Sequence, residues 1–222
     1  MKSESNKLAV RGELALIAMV IMNSAGVLLM LHSGSGISAI SSVPYGFQQV
    51  FPQLTLGTWT YMFQGLLVLV LMLLRRKFIP SYLFSFVVGF VFGKLMDLEK
   101  PFIDALPLNI PMRVLYFVLS YLILCFGISL GNRCGLPITP TDLFPREMAD
   151  ITKLPYARVK ITFDLTCLIT TAVITFVGVG AIRGLGIGTV VAACTMGKGI
   201  SFIGSLLDKR LTFHSVLDGQ KV

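Results

Sequence analysis

Two lysines stand inside apolar runs, where an ammonium has no ordinary place. Lys94 and Lys198 each follow a glycine, Gly93 and Gly197, deep in a hydrophobic stretch. A charge at the centre of a bilayer costs about 2.5–3.5 kcal/mol on insertion scales, so such a residue faces a cavity or a partner, or snorkels to the headgroups. Both readings stand for these two. In the first, the lysines share one cavity and stabilise an anionic group there: a substrate carboxylate or phosphate, or the carboxylates Asp97 and Asp164. Asp164 has Lys160 four residues before it, on the same helix face. That spacing reads as a structural pair, with proton or ion coupling as the alternative. Asp97 lies with Glu99 and Asp104 at the end of its run and reads as a solvated rim, with ion coupling the weaker reading. Asn23, mid-run beside Ser24, either bridges helices or touches substrate. Thr139 and Asp142 stand in a Gly/Pro-broken loop and complete the substrate-binding set of Lys94, Lys198, Asn23, Thr139 and Asp142. Gly34, Gly135, Gly93 and Gly197 are hinge or close-contact positions.

No Ser/His/Asp grouping, HExxH or paired-carboxylate motif is present, so no catalytic residue and no enzyme activity is expected. The four cysteines, Cys125, Cys134, Cys167 and Cys194, lie in or beside apolar runs without zinc spacing. They read as reduced thiols that pack like small hydrophobes, with no metal and no cofactor.

The elements that must position these residues are membrane helices. Of 222 residues, 55% are apolar and 14% charged, and mean hydropathy is +0.81. A soluble domain carries about 25% charged residues, and disorder needs low hydrophobicity. The net charge of +8 would suit nucleic acid in a soluble chain; here it reads as basic residues gathered on the cytoplasmic face, with no nucleic-acid partner. Six runs are long enough to span: Leu14 to Leu31, Gly57 to Leu74, after Pro80 to about Leu98, after Asn109-Ile110-Pro111 to near Gly131, about Val159 to Val177, and the Gly184–Gly188 stretch to near Leu207. They are too long and too uniformly apolar for barrel strands. With both termini inside, inner segments hold 14 Lys and Arg and outer segments 3. This predicts a multi-pass protein of the bacterial inner membrane with cytoplasmic N- and C-termini.

The chain also repeats. At an offset of 101, Gly26 meets Gly127, Gly34 meets Gly135, Ile37 meets Ile138, Ser38 meets Thr139 and Pro44 meets Pro145; at 104, Gly93-Lys94 meets Gly197-Lys198. The reading is one all-α membrane domain over 1–222: repeat one at about 14–98, a connector at 99–111, repeat two at about 112–207, and short tails. Three spans per half is an odd number, so the second half enters from the opposite side. Such inverted repeats mark secondary transporters. The loops after spans one and four are broken by Gly and Pro. Each either re-enters the protein, aiming a helix N-terminus at an anion, or lies on the surface as an amphipathic helix.

Six short spans, with Gly127, Asn132, the run Gly135-Leu136-Pro137-Ile138-Thr139-Pro140-Thr141-Asp142 and the later Gly184-Leu185-Gly186-Ile187-Gly188-Thr189, resemble the YczE/YyaS/YitT-type bacterial membrane proteins. The resemblance covers about residues 12–207 and implies a fold and an inner-membrane location more than a substrate. YitT-like members often carry a soluble C-terminal domain, for which this chain has no room.

Three functions remain. The leading one is a small transporter or substrate-binding membrane protein for an organic anion or small polar metabolite. The alternatives are a substrate-capture subunit of a larger energised transporter and a non-transporting scaffold or accessory protein. The expected partners are the lipid bilayer and a small anionic or polar ligand; a homodimer is compatible with all three.

Overall fold

The computed structural model describes residues 8–214; Lys2, Lys7 and Lys221 of the charge count lie outside them. The chain runs β1 (Leu8–Arg11), α1 (Gly12–His32), α2 (Ala39–Val50), α3 (Leu56–Arg75) and α4 (Pro80–Asp104). It continues through α5 (Ile110–Gly131), α6 (Pro140–Thr152), α7 (Tyr156–Val179), α8 (Ile187–Arg210) and β2 (Leu211–His214). Among the described residues six helices, α1, α3, α4, α5, α7 and α8, are long and apolar enough to cross a membrane. Their outward faces are those of lipid-contacting helices. Leu14, Ile17 and Ile21 on α1, and Ile169, Val173, Phe176 and Val177 on α7, are exposed at helical spacing.

The helices begin where local chemistry starts them. Thr55 and Asn109 accept hydrogen bonds from the amides of Thr58 and Met112, and Pro80 occupies the first turn of α4. α4 runs six residues beyond Leu98, through Pro101, and Asp97 is part of a contact between helices and not a solvated rim. Half-buried, it accepts from the Gly57 amide at 3.0 Å and the Thr55 hydroxyl at 2.8 Å, tying α4 to the start of α3. α7 begins at Tyr156, three residues before Val159, and so draws Lys160 out of the loop and into the protein interior.

The two broken loops hold the short helices α2 and α6. Each is buried at its first residues and more exposed toward its end, so neither lies on the surface. Each follows a turn with positive φ at the matched glycine, +75° at Gly34 and +70° at Gly135, a conformation that a side chain would strain. α2 lies on α7, where the Ser42 and Thr171 hydroxyls bond at 2.7 Å. α6 lies against α3 and α4, where Glu147 accepts from Arg75 at 2.7 Å and Tyr82 at 2.5 Å.

Exchanging the first four helices with the last four leaves the neighbour relations unchanged. α3 against α4 becomes α7 against α8, α1 against α4 becomes α5 against α8, and α2 against α7 becomes α6 against α3. α1 and α5 form the seam. Within each half two helices touch closely: a methyl group at Gly93 would meet Gly57, and one at Gly197 would meet Ala157. β1 and β2 pair in parallel, Leu8 with Leu211 through Arg11 with His214. This ribbon, which the sequence reading lacked, holds the two ends of the helical chain side by side.

Candidate functional site

One cavity of about 40 Å³ lies where the first turns of α2 and α6 converge. Each water-sized group needs roughly 10–15 Å³, so a small ion with a water or two fits. Ser38, Ala39, Ile40 and Ser41 line it from α2, and Thr141 and Asp142 from α6. Asn23 of α1 and the pair Lys160 and Asp164 of α7 complete its polar surface; Val27, Phe92, Leu124, Ile128 and Met196 supply the apolar remainder.

The first-turn amides of a helix have no partner four residues back, and they carry the positive end of its dipole. Neither Ser38 nor Thr139 caps its helix through its hydroxyl. Ser38 instead donates to the Ser41 hydroxyl at 3.0 Å, and Thr139 donates to the Asp142 carboxylate at 2.8 Å. The Asn23 amide donates to the same Asp142 oxygen at 3.5 Å, and its own carbonyl oxygen is buried without a partner. Burial pushes the Asp142 carboxyl up; Lys160, Thr139, Arg146 and Asn23 pull the other way.

Lys160 and Asp164 are 2% and 1% exposed, and their side chains meet at 2.6 Å, the pairing that the four-residue spacing predicted. Such a pair is costly to bury, and removing one partner strands the other charge.

The structure therefore brings together Asn23, Asp142 and Asp164, with Thr139 bonded to Asp142 just behind. It does not bring Lys94 and Lys198 to them. Both lysines are exposed and absent from the cavity wall, so the shared lysine cavity is corrected. Lys94 lies over the rings of Tyr61 and Phe90, at 5.9 and 5.6 Å from their centroids. These aromatic faces hold the ammonium at the periphery. Lys198 lines an outer groove between α7 and α8, with Arg158 and Thr162. Gly93 and Gly197 are contact points between helices, Gly34 and Gly135 turn points.

Sequence reasoning missed the α2 residues and a second buried polar group. Gln64 is fully buried, and neither its amide nitrogen nor its oxygen has a hydrogen-bond partner. A methyl group at Gly89 would meet both Gln64 and Pro140, so Gln64 stands beside the start of α6. Counting from the first residues of α3 and α7, Leu56 and Tyr156, Thr60 matches Lys160 and Gln64 matches Asp164. An offset of 100 applied to Lys160 and Asp164 would have found them.

Fold and site together define a polytopic helical membrane protein with two short helices directed into its centre. The chain belongs to a family of unknown function (DUF6198), whose pattern matches residues 10–205. No curated protein and no solved structure matches it.

Proposed function

We propose that this protein is a small transporter of the bacterial inner membrane, built from two inverted repeats, that carries a small anion through the central cavity together with a proton. The observation that carries this is the meeting of two helix N-termini on one buried cavity that also holds ionisable groups. Half-helices arranged in this way bind anionic groups in secondary transporters. The inner-membrane orientation, with the paired ends in the cytoplasm, rests on the Lys and Arg count. The likeness to YczE/YyaS/YitT-type proteins supports the same location.

Charge arithmetic supports the proton. Asp142, Asp164 and Lys160 sum to one negative charge, and two helix N-termini add roughly +0.5 each. The resting site is then near neutral and has little pull on an anion. Protonating Asp142 leaves it positive by one, which suits a monoanion. Burial already favours the protonated carboxyl. The first turn of α2 is the better seat, because no carboxylate stands on it.

The test is uptake of small labelled monocarboxylates, formate and acetate first, into proteoliposomes with and without a pH gradient that is acid outside. The expected result is gradient-stimulated uptake that the paired substitution Lys160→Met with Asp164→Leu abolishes. Uptake no greater than in protein-free vesicles across small carboxylates and inorganic anions would leave the scaffold reading in its place.

A further inference from the structure

A second cavity, of about 420 Å³, opens at the end of the molecule that carries the β1–β2 ribbon. Its wall includes Asn132, Arg133, Arg146, Tyr156, Ser201 and Asp208. Its volume falls in the range of small-molecule sites, about 300–1,000 Å³.

The two arginines differ. Arg133 is spent on structure: it binds Asp208 through two bonds, at 2.6 and 2.8 Å, and donates to the Ser129 carbonyl. Its guanidinium lies against Gly204, where a methyl group would overlap it. Arg146 is different. Half-buried on α6, it makes no ion pair and no side-chain hydrogen bond among the described residues. Two further polar atoms of wall residues, the Tyr156 hydroxyl and the Asn132 side-chain oxygen, are buried; the Asn132 side chain lies close enough to act on the hydroxyl, but the two make no well-formed hydrogen bond. A buried polar atom left unpaired costs about 1–3 kcal/mol. The Arg146 guanidinium supplies charged donors that a carboxylate or phosphate satisfies, with the Tyr156 hydroxyl buried in the wall behind it.

The cavity also stands in line with the central one. Tyr156, Lys160 and Asp164 recur every four residues on one face of α7, so each step inward is roughly 6 Å at 1.5 Å per residue. Tyr156 lines the outer cavity; Lys160 and Asp164 line the inner one. Arg146 is also close enough to Asp142 to draw its pKa down.

We infer that this outer cavity is an anion-capture vestibule, in which Arg146, with Tyr156 in the wall beside it, binds a soluble carboxylate or phosphate before it passes inward to Lys160. The passage inward rests on the transport reading; the capture step does not. The recognised chemistry is shared by free anions and by phospholipid headgroups, so the experiment separates the two. Thermal unfolding is followed in phosphatidylcholine nanodiscs against inorganic phosphate and succinate, then repeated in nanodiscs containing phosphatidylglycerol.

The vestibule predicts that phosphate or succinate stabilises the protein in phosphatidylcholine alone. Arg146→Gln should weaken that binding about tenfold, the loss of one charge-assisted bond of roughly 1.5 kcal/mol. Arg146→Lys should recover part of it. Tyr156→Phe, which keeps the ring and the fold, should weaken binding by a smaller factor. Equal binding in wild type, Arg146→Gln and Tyr156→Phe overturns the inference. So does stabilisation that appears only with phosphatidylglycerol, which would assign Arg146 to a lipid headgroup. Anion binding lost in Arg146→Gln, with no uptake by any variant, would keep the vestibule and sink the transport reading. Uptake that Arg146→Gln leaves unchanged, together with unchanged binding, would do the reverse.

Discussion

The two short helices start alike and differ in what stands on and beside their first turns. Both follow a positive-φ glycine, an isoleucine with no exposed surface and a hydroxyl residue. At the third position α6 has Asp142, which accepts the Thr139 hydroxyl; α2 has Ser41, which accepts the Ser38 hydroxyl. The neighbouring long helices differ in the same sense. α2 lies on α7, with Lys160 and Asp164; α6 lies against α3, with Thr60 and Gln64 at the corresponding places. Every ionisable group of the central cavity therefore comes from the second half, while the first half contributes Asn23, hydroxyls and bare helix amides. The helix neighbour relations are alike in the two halves, while the charge of the cavity lies in one. Geometry is set by turns, close contacts and apolar faces, which both halves need in order to fold.

The largest test of this contrast is on the charged side. Lys160→Met strands Asp164 and should lower stability by about 3–5 kcal/mol, read as thermal unfolding in detergent. Adding Asp164→Leu should restore most of the loss. A Lys160→Met protein as stable as wild type would mean that the two halves are energetically alike at this point. On the neutral side the sign reverses. Gln64→Leu removes two unpaired buried atoms and should leave stability unchanged or raise it, by up to about 1–3 kcal/mol. A clear loss in the same unfolding assay would show that the Gln64 amide has a partner in solution.

Asp142 sharpens the comparison through pH. Its folded pKa is raised by burial, so the folded protein keeps this proton at pH values where the unfolded chain has lost it. Stability then falls as pH rises above the ordinary carboxylate range, by at most about 1.4 kcal/mol per pH unit, until the folded carboxyl also ionises. Asp142→Asn should flatten that part of the pH profile, whereas Ser41→Ala should leave its slope intact. Parallel profiles for wild type and Asp142→Asn would remove Asp142 as the proton site. The smallest effects belong to the periphery. Lys94→Gln and Lys198→Gln should each shift stability by no more than about 0.5 kcal/mol and leave uptake unchanged. A large loss of uptake in either would return the outer lysines to the site.

The spans were legible because each is a long apolar run bounded by polar or turn residues. The short helices were legible as Gly/Pro-broken loops at matched positions, though their direction was not, since an amphipathic surface helix and a buried one begin with the same residue types. Burial of Ser38 and Thr139 decides between them. Lys160 and Asp164 were legible from a single helical spacing. Lys94 and Lys198 misled because cost in hydrocarbon marks a residue as unusual without saying which way it points. Tyr61 and Phe90, which hold Lys94, look like any other aromatic residues in apolar runs. Gln64 and Ser41 were hidden because neutral polar residues in a span raise no alarm. The ribbon was hidden because four residues at each end carry no pattern of their own.

That ribbon has a consequence for how the chain is connected. Leu8 and Leu211 are strand partners, so the first and last described elements meet although more than two hundred residues separate them. Topologically the molecule is nearly a ring, with the α4–α5 connector as one junction of its halves and the ribbon as the other. Joining the ends through a flexible linker and reopening the chain near Pro107 would give a circular permutant in which α5 comes first and α4 last. Each half would keep its own helix order, and the order in which the halves are synthesised would be reversed.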